Sequence, residues 1–172
     1  GPAEFKDHMQ FDGLTCAFEG CAMGNSADYI ATKYGISRED QDRFGAQSHQ
    51  RAAAAAKNGW FASEIVALTG EQVGNRKAPG PAGGLAADEG VRAESTADGL
   101  AKLRPAFDKG GTVTAGNASQ ISDGAAAVAV CSATKAEELG LKPMARIVSY
   151  ATSGVAPKDI FAAPITGVRM AV

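Results

Sequence analysis

The side chains best placed for chemistry in this sequence are cationic and apolar rather than nucleophilic. Arg92 follows the acidic pair Asp88-Glu89, and Lys102 and Arg104 come soon after it. Ala115 to Ser119 (AGNAS) is a turn of small residues, which a ligand can approach without meeting side-chain bulk. Met23 and Phe107 are candidate apolar walls, since ligand pockets are mostly apolar with a few placed polar groups. A cation, a small turn and apolar walls suit a long, flexible ligand that carries an anion. Each residue also has a plainer use. Met23 and Phe107 serve equally as core, Arg92 as a solvated charge, and Ser119 as a turn or cap residue.

The nucleophilic inventory is poor. The sequence contains no G-x-S-x-G elbow, no P-loop, no G-x-G-x-x-G and no H-E-x-x-H. Its two histidines, His8 and His49, are too far apart to suggest a metal site, and no C-x-x-C spacing occurs. His49 lies in a polar run (Gln47, Ser48, Gln50) in mid-helix and reads as a solvated surface histidine. Asp123-Gly124 reads as a turn. Cys16, Cys21 and Cys131 are odd in number and read as reduced thiols of a cytosolic-type compartment, with a Cys16–Cys21 disulfide as the alternative.

Charge and composition narrow the classes further. With 17 Lys+Arg against 19 Asp+Glu, the 172-residue chain lacks the basic surplus of a dedicated nucleic-acid binder. Its longest apolar run, Ala125 to Cys131, is far shorter than the roughly 20 residues of a membrane helix. No charged segment leading into an apolar one opens the chain, so no signal peptide and a cytoplasmic location are expected. Glycine is abundant, with 21 residues, and aromatics reach only 6 %. Such a chain has little bulk for a core of its own and is expected to rely on another body to bury its surfaces.

The elements that must position these residues follow from local pattern. Ser26 to Tyr34 reads as a helix closed by Gly35. Ser37-Arg38-Glu39-Asp40 reads as the capped start of a second helix running to Asn58-Gly59, with Phe44 and the alanines as a thin apolar face. Ser63 to Leu68 alternates like a half-buried strand, and Gly70 to Ala87 reads as a surface loop. Thr112 to Thr114, Ala125 to Cys131 and Ala145 to Thr152 read as strands, and Ser132 caps a helix through Leu139 that Gly140 ends. Strand, helix and strand in succession is α/β grammar. Pro164 opens a last helix that the end of the chain leaves unfinished, which reads as a cut.

Three segments together resemble the middle of a thiolase, the acyl-CoA acetyltransferase family. They are DGLTCAFEGCAMGNSADYIATKYGISREDQD from Asp12, DEGVR from Asp88, and AKLRPAFDKGGTVTAGNASQISDGAA from Ala101; the likeness continues through ARIVSYATSGVAP. The resemblance implies an α/β fold, part of the five-layered α/β/α/β/α thiolase architecture with its inserted loop domain. It implies a tag or N-terminal segment over 1–11, a CoA-binding loop domain over 12–110, the end of the N-terminal half over 111–136 and the opening of the C-terminal half over 137–172. Carried over by motif, Leu14, Met23, Ala106, Phe107, Ala115 and Ser119 would line the pantetheine channel, and Arg92 would lie by the adenine and phosphate end. Two positions depart from the pattern. Ala22 stands where many acetoacetyl-CoA thiolases have His, and Gly99 stands where a polar Ser is common.

The resemblance also implies a ping-pong acyl transfer through a nucleophilic Cys, an activating His and a second Cys. The nucleophile belongs upstream of Gly1, and the NEAFA, GHP and second-Cys motifs belong beyond Val172. No catalytic residue and no metal ligand is therefore assigned, and this chain alone is expected not to turn over. The implied parent condenses two acetyl-CoA to acetoacetyl-CoA, or runs the reverse thiolysis, as a homo-oligomer with no cofactor beyond its CoA thioester substrates. It has no nucleic-acid or membrane partner. The alternatives are a non-catalytic CoA- or lipid-binding protein of thiolase-like build, and an interaction module.

Overall fold

The computed structural model describes residues 3–75 and 77–172. Its helices are α1 (Met23–Tyr34), α2 (Arg38–Lys57), α3 (Gly70–Val73), α4 (Ala97–Leu100), α5 (Ala133–Glu138) and α6 (Ala163–Ala171). A π-helical turn at Met9–Gly13 and a 3₁₀ turn at Pro157–Ala162 complete the regular structure. The chain divides into two units, a central one over Ala31–Ser119 and a split one that combines the segment up to Ile30 with Gln120–Val172.

Local capping explains the borders of the central unit's long helix. Gly35 has φ 64°, which only glycine adopts without strain, and the Ile36 N–H returns to the Ala31 carbonyl at 2.8 Å to close α1. Ser37 then caps α2. Its Oγ accepts the Asp40 N–H at 3.0 Å and donates to Asp40 Oδ2 at 2.7 Å. The Ser37 bond, followed by the Arg43 charge, holds the Asp40 carboxyl below its ordinary value.

The buried face of α2 includes alanines of the expected apolar face but not Phe44. Phe44 is 72 % exposed, while Asp42, Ala46 and Ala55 are buried. The core of the central unit joins these to Leu100 and Val113. Small residues permit the close approach. A Cβ on Gly45 would lie 3.1 Å from the Gly116 carbonyl oxygen, and one on Gly116 would lie 2.5 Å from Leu100 Cδ2 and 2.6 Å from Leu103 Cδ1.

The split unit is built from short pieces. An antiparallel bridge pairs Thr15 with Ala22 ahead of α1. Ser132 caps α5, accepting the Lys135 N–H at 3.1 Å, and Gly140 at φ 63° follows its end. Pro157 starts the 3₁₀ turn that runs into α6, where Pro164 sits in the first turn. Ser153 and Ser149 hold α6 by donating to the carbonyls of Ala163 (2.8 Å) and Ala171 (2.6 Å).

The expected strands are the main correction. Among the described residues, Ser63 to Leu68 and Thr112 to Thr114 contribute only isolated bridges, Leu68 with Leu85 and Thr114 with Pro105. Ala125 to Cys131 and Ala145 to Thr152 form none, and Val128 and Val148 are 87 % and 83 % exposed. β-Prone patterning describes a surface fit for packing, but a ladder also needs a neighbouring strand to take its N–H and C=O groups. No described residue supplies that neighbour to these two segments. The loop expected over Gly70 to Ala87 also begins with structure, since Thr69 and Gln72 form a reciprocal capping box around α3.

Candidate functional site

In the central unit, the bridge between Pro105 and Thr114 lays two of the quoted motifs side by side. The Ala106 N–H donates to the Val113 carbonyl at 2.8 Å, so RPAF and the start of AGNAS run together. Ala106, Phe107, Ala115 and Ser119 are all exposed there, with Thr114 fully buried beneath them. The two motifs together thus present small residues and one aromatic ring to solvent over a fixed base.

What fixes that base is a buried polar network that sequence reasoning missed. Asp42, 1 % exposed, accepts from Arg38 Nε at 2.7 Å and from Asn117 Nδ2 at 2.9 Å. Arg38 Nη2 donates to the carbonyls of Leu100 (2.8 Å) and Leu103 (2.9 Å), so one guanidinium joins α2 to the end of α4. Asn117 closes the turn from inside. Its Nδ2 donates to the Thr112 carbonyl at 3.0 Å, and its Oδ1 accepts the Thr114 N–H at 2.7 Å. Gln41 adds a bond from Nε2 to Thr112 Oγ1 at 2.9 Å. A buried carboxylate is tolerable only when its lone pairs are filled in this way. The one available signal was the Arg38/Asp42 spacing of four on a helix, which reads equally as a surface ion pair.

Arg92 is exposed, on a segment tied to α2. Its N–H donates to His49 Nδ1 at 3.2 Å, its carbonyl accepts the Ser95 N–H at 3.1 Å, and Gln50 Nε2 donates to the Ser95 carbonyl at 3.0 Å. The Gly90 N–H bonds Asp88 Oδ1 at 2.7 Å one turn earlier. The surface reading of His49 is therefore corrected. The ring is half-buried and accepts a backbone bond from a residue 43 positions away, a partner that local composition could not reveal.

Leu14 and Met23 belong to the split unit and meet each other through the Met23 N–H, which donates to the Leu14 carbonyl at 2.9 Å across the Thr15–Ala22 bridge. Both are half-buried. Ala22, the first departure from the family pattern, is a member of that bridge. Gly99, the second, lies inside α4 with its N–H on Thr96 Oγ1, and a Cβ there would come within 3.1 Å of that oxygen.

An open hollow of about 520 Å³ lies in the Gly/Pro-rich stretch, lined by Gly70, Glu71, Asn75, Gly80 and neighbours. It involves none of the candidate residues, and among the described lining residues the charged one is Glu71. Cys16, Cys21 and Cys131 are free thiols. Among the described residues, no group of three or more His, Cys, Asp or Glu could hold a metal ion, and no helix is long and apolar enough to cross a membrane.

Comparison with known proteins agrees with the motifs. The family model for the thiolase N-terminal domain matches residues 1–134. An acetyl-CoA acetyltransferase of Chromobacterium violaceum is 51 % identical over 172 residues, which is 100 % of this chain and 43 % of the relative. One from Pseudomonas aeruginosa is 48 % identical over the same span, 42 % of its own length. Among solved structures, the Bacillus anthracis acetyl-CoA acetyltransferase superposes with a TM-score of 0.84 at 37 % identity, over 99 % of this chain and 42 % of that one. Human mitochondrial 3-ketoacyl-CoA thiolase, solved in complex with CoA, gives 0.79 at 33 % identity, again over 99 % and 42 %. The chain thus spans less than half the length of the relatives it matches.

Proposed function

Starting from a chain that belongs to the thiolase family, through its N-terminal thiolase domain, we propose that it supplies a coenzyme A-binding surface to an acetyl-CoA acetyltransferase. The reaction is condensation of two acetyl-CoA to acetoacetyl-CoA, or the reverse thiolysis. The observation that carries this reading is the alignment of RPAF beside AGNAS over a buried polar base, with the Arg92-bearing segment tied to the same helix, α2.

The roles follow from the chemistry of the ligand. Coenzyme A has an anionic nucleotide end and a long pantetheine arm with two amides. In this reading, within the central unit, Arg92 neutralises the phosphate-bearing end, Ala106 and Phe107 cover the arm, and Ala115 leaves it room; Leu14 and Met23 are assigned to the arm by motif alone. The Ser119 hydroxyl serves an amide. The segment 12–110 acts as the CoA-binding loop domain, within a five-layered fold and a homo-oligomeric parent. Acyl transfer itself rests on no residue of this chain, so the chain alone binds CoA and gives no acetoacetyl-CoA thiolysis.

Calorimetric titration of the chain with CoA tests this. Arg92→Ala should weaken binding about tenfold, the scale of a charge-assisted contact. Equal affinity for the wild type and the variant would remove Arg92 from the site.

A further inference from the structure

We infer that His49 is a positioning residue for coenzyme A, acting through Arg92; this rests on the reading of Arg92 given above. Arg92 sits on an exposed segment that has no helix or strand of its own to fix it. Its position relative to α2 depends on two adjacent side chains of that helix. His49 Nδ1 takes the Arg92 N–H at 3.2 Å, and Gln50 Nε2 donates to the Ser95 carbonyl at 3.0 Å. The internal bond from the Ser95 N–H to the Arg92 carbonyl (3.1 Å) makes the two ties grip one turn rather than two loose ends.

The geometry fixes the protonation state that can do this. A ring nitrogen that accepts from a backbone N–H carries no proton, so His49 is the tautomer protonated on Nε2. A second proton turns Nδ1 into a donor facing a donor, and the bond is lost. It also places a positive charge beside the segment that carries the Arg92 guanidinium. The charged residues of the two pieces that meet here are Arg38, Glu39, Asp40, Asp42, Arg43, Arg51 and Lys57 on α2 and Asp88, Glu89, Arg92 and Glu94 on the segment. No ion pair to His49 occurs among those described. The neutral ring therefore orders the Arg92 turn before ligand arrives, which lowers the ordering cost of binding.

The test is CoA affinity of the whole chain, by calorimetry, for wild type, His49→Ala, His49→Asn, Arg92→Ala and the His49→Ala/Arg92→Ala double variant. The Asn amide oxygen reaches the place of Nδ1 and accepts the same bond. His49→Ala should weaken binding about threefold to tenfold, the value of one hydrogen bond. His49→Asn should retain most of the affinity, and the double variant should be no weaker than Arg92→Ala alone. Additive losses in the double variant, or a loss in His49→Asn as large as in His49→Ala, would overturn the inference while leaving Arg92 in place. No effect of Arg92→Ala would overturn the underlying reading as well.

Discussion

The central unit and the segment after it solve the problem of burial in opposite ways. Over Ala31–Ser119 the core is made of alanines, one leucine and one valine around a carboxylate whose oxygens are filled by Arg38 and Asn117. Between Gln120 and Thr152 the sequence is richer in β-branched residues, yet Val128, Ile147, Val148 and Tyr150 all face solvent. Apolar content is thus a poor guide to where this molecule is held together. Side-chain hydrogen bonds, placed by a helix and a turn far apart in sequence, do more than bulk does.

The sharpest way to break that comparison is to remove the carboxylate. Asp42→Ala strands the Arg38 guanidinium and the Asn117 amide, and should cost about 3 kcal/mol in urea unfolding followed by circular dichroism. Val128→Ala should change stability by less than about 0.5 kcal/mol in the same experiment. Similar losses in the two variants would erase the distinction between the regions. Glycine substitution gives the next largest contrast. Gly116→Ala drives a methyl against Leu100 and Leu103 and should cost about 1–3 kcal/mol, whereas Gly124, with nothing within 4 Å, should accept alanine almost freely.

The exposed segment makes its own prediction. Apolar patches of this kind drive association, so the chain should form larger species as its concentration rises in sedimentation velocity. The double change Val128→Glu/Val148→Glu should shift it toward monomer, and a monomer at every concentration would count against the burial account. The smallest effect concerns Asp40. Its folded-state carboxyl lies below the ordinary value of about 3.9, through Ser37 and Arg43. It therefore stabilises the first turn of α2 above that value, and the contribution fades as pH falls through the lowered one. Hydrogen exchange at that turn should quicken on acidification, and Ser37→Ala should move the change to higher pH.

Much of the helical framework was legible in the sequence because its signals are local. Ser37, Gly35, Ser132 and Gly140 mark their boundaries by side-chain or backbone chemistry that acts within four residues. The motifs LRPAF and AGNAS, quoted from the sequence for their likeness, lie side by side in the fold. The strands were not legible, since pairing is a property of two segments and the pattern of one states only half of it. Asp42 and His49 were unreadable for a related reason. Each depends on a partner distant in sequence, Asn117 for one and the Arg92 backbone for the other.

The most direct test of the central claim is hydrogen exchange of the chain with and without CoA, read by mass spectrometry peptide by peptide. The account predicts slower exchange on CoA addition in peptides covering Asp88–Ser95 and Pro105–Ser119, a smaller change around Leu14 and Met23, and none over α5 and α6. CoA-dependent protection confined to α5 and α6, or none anywhere at saturating CoA, would contradict it.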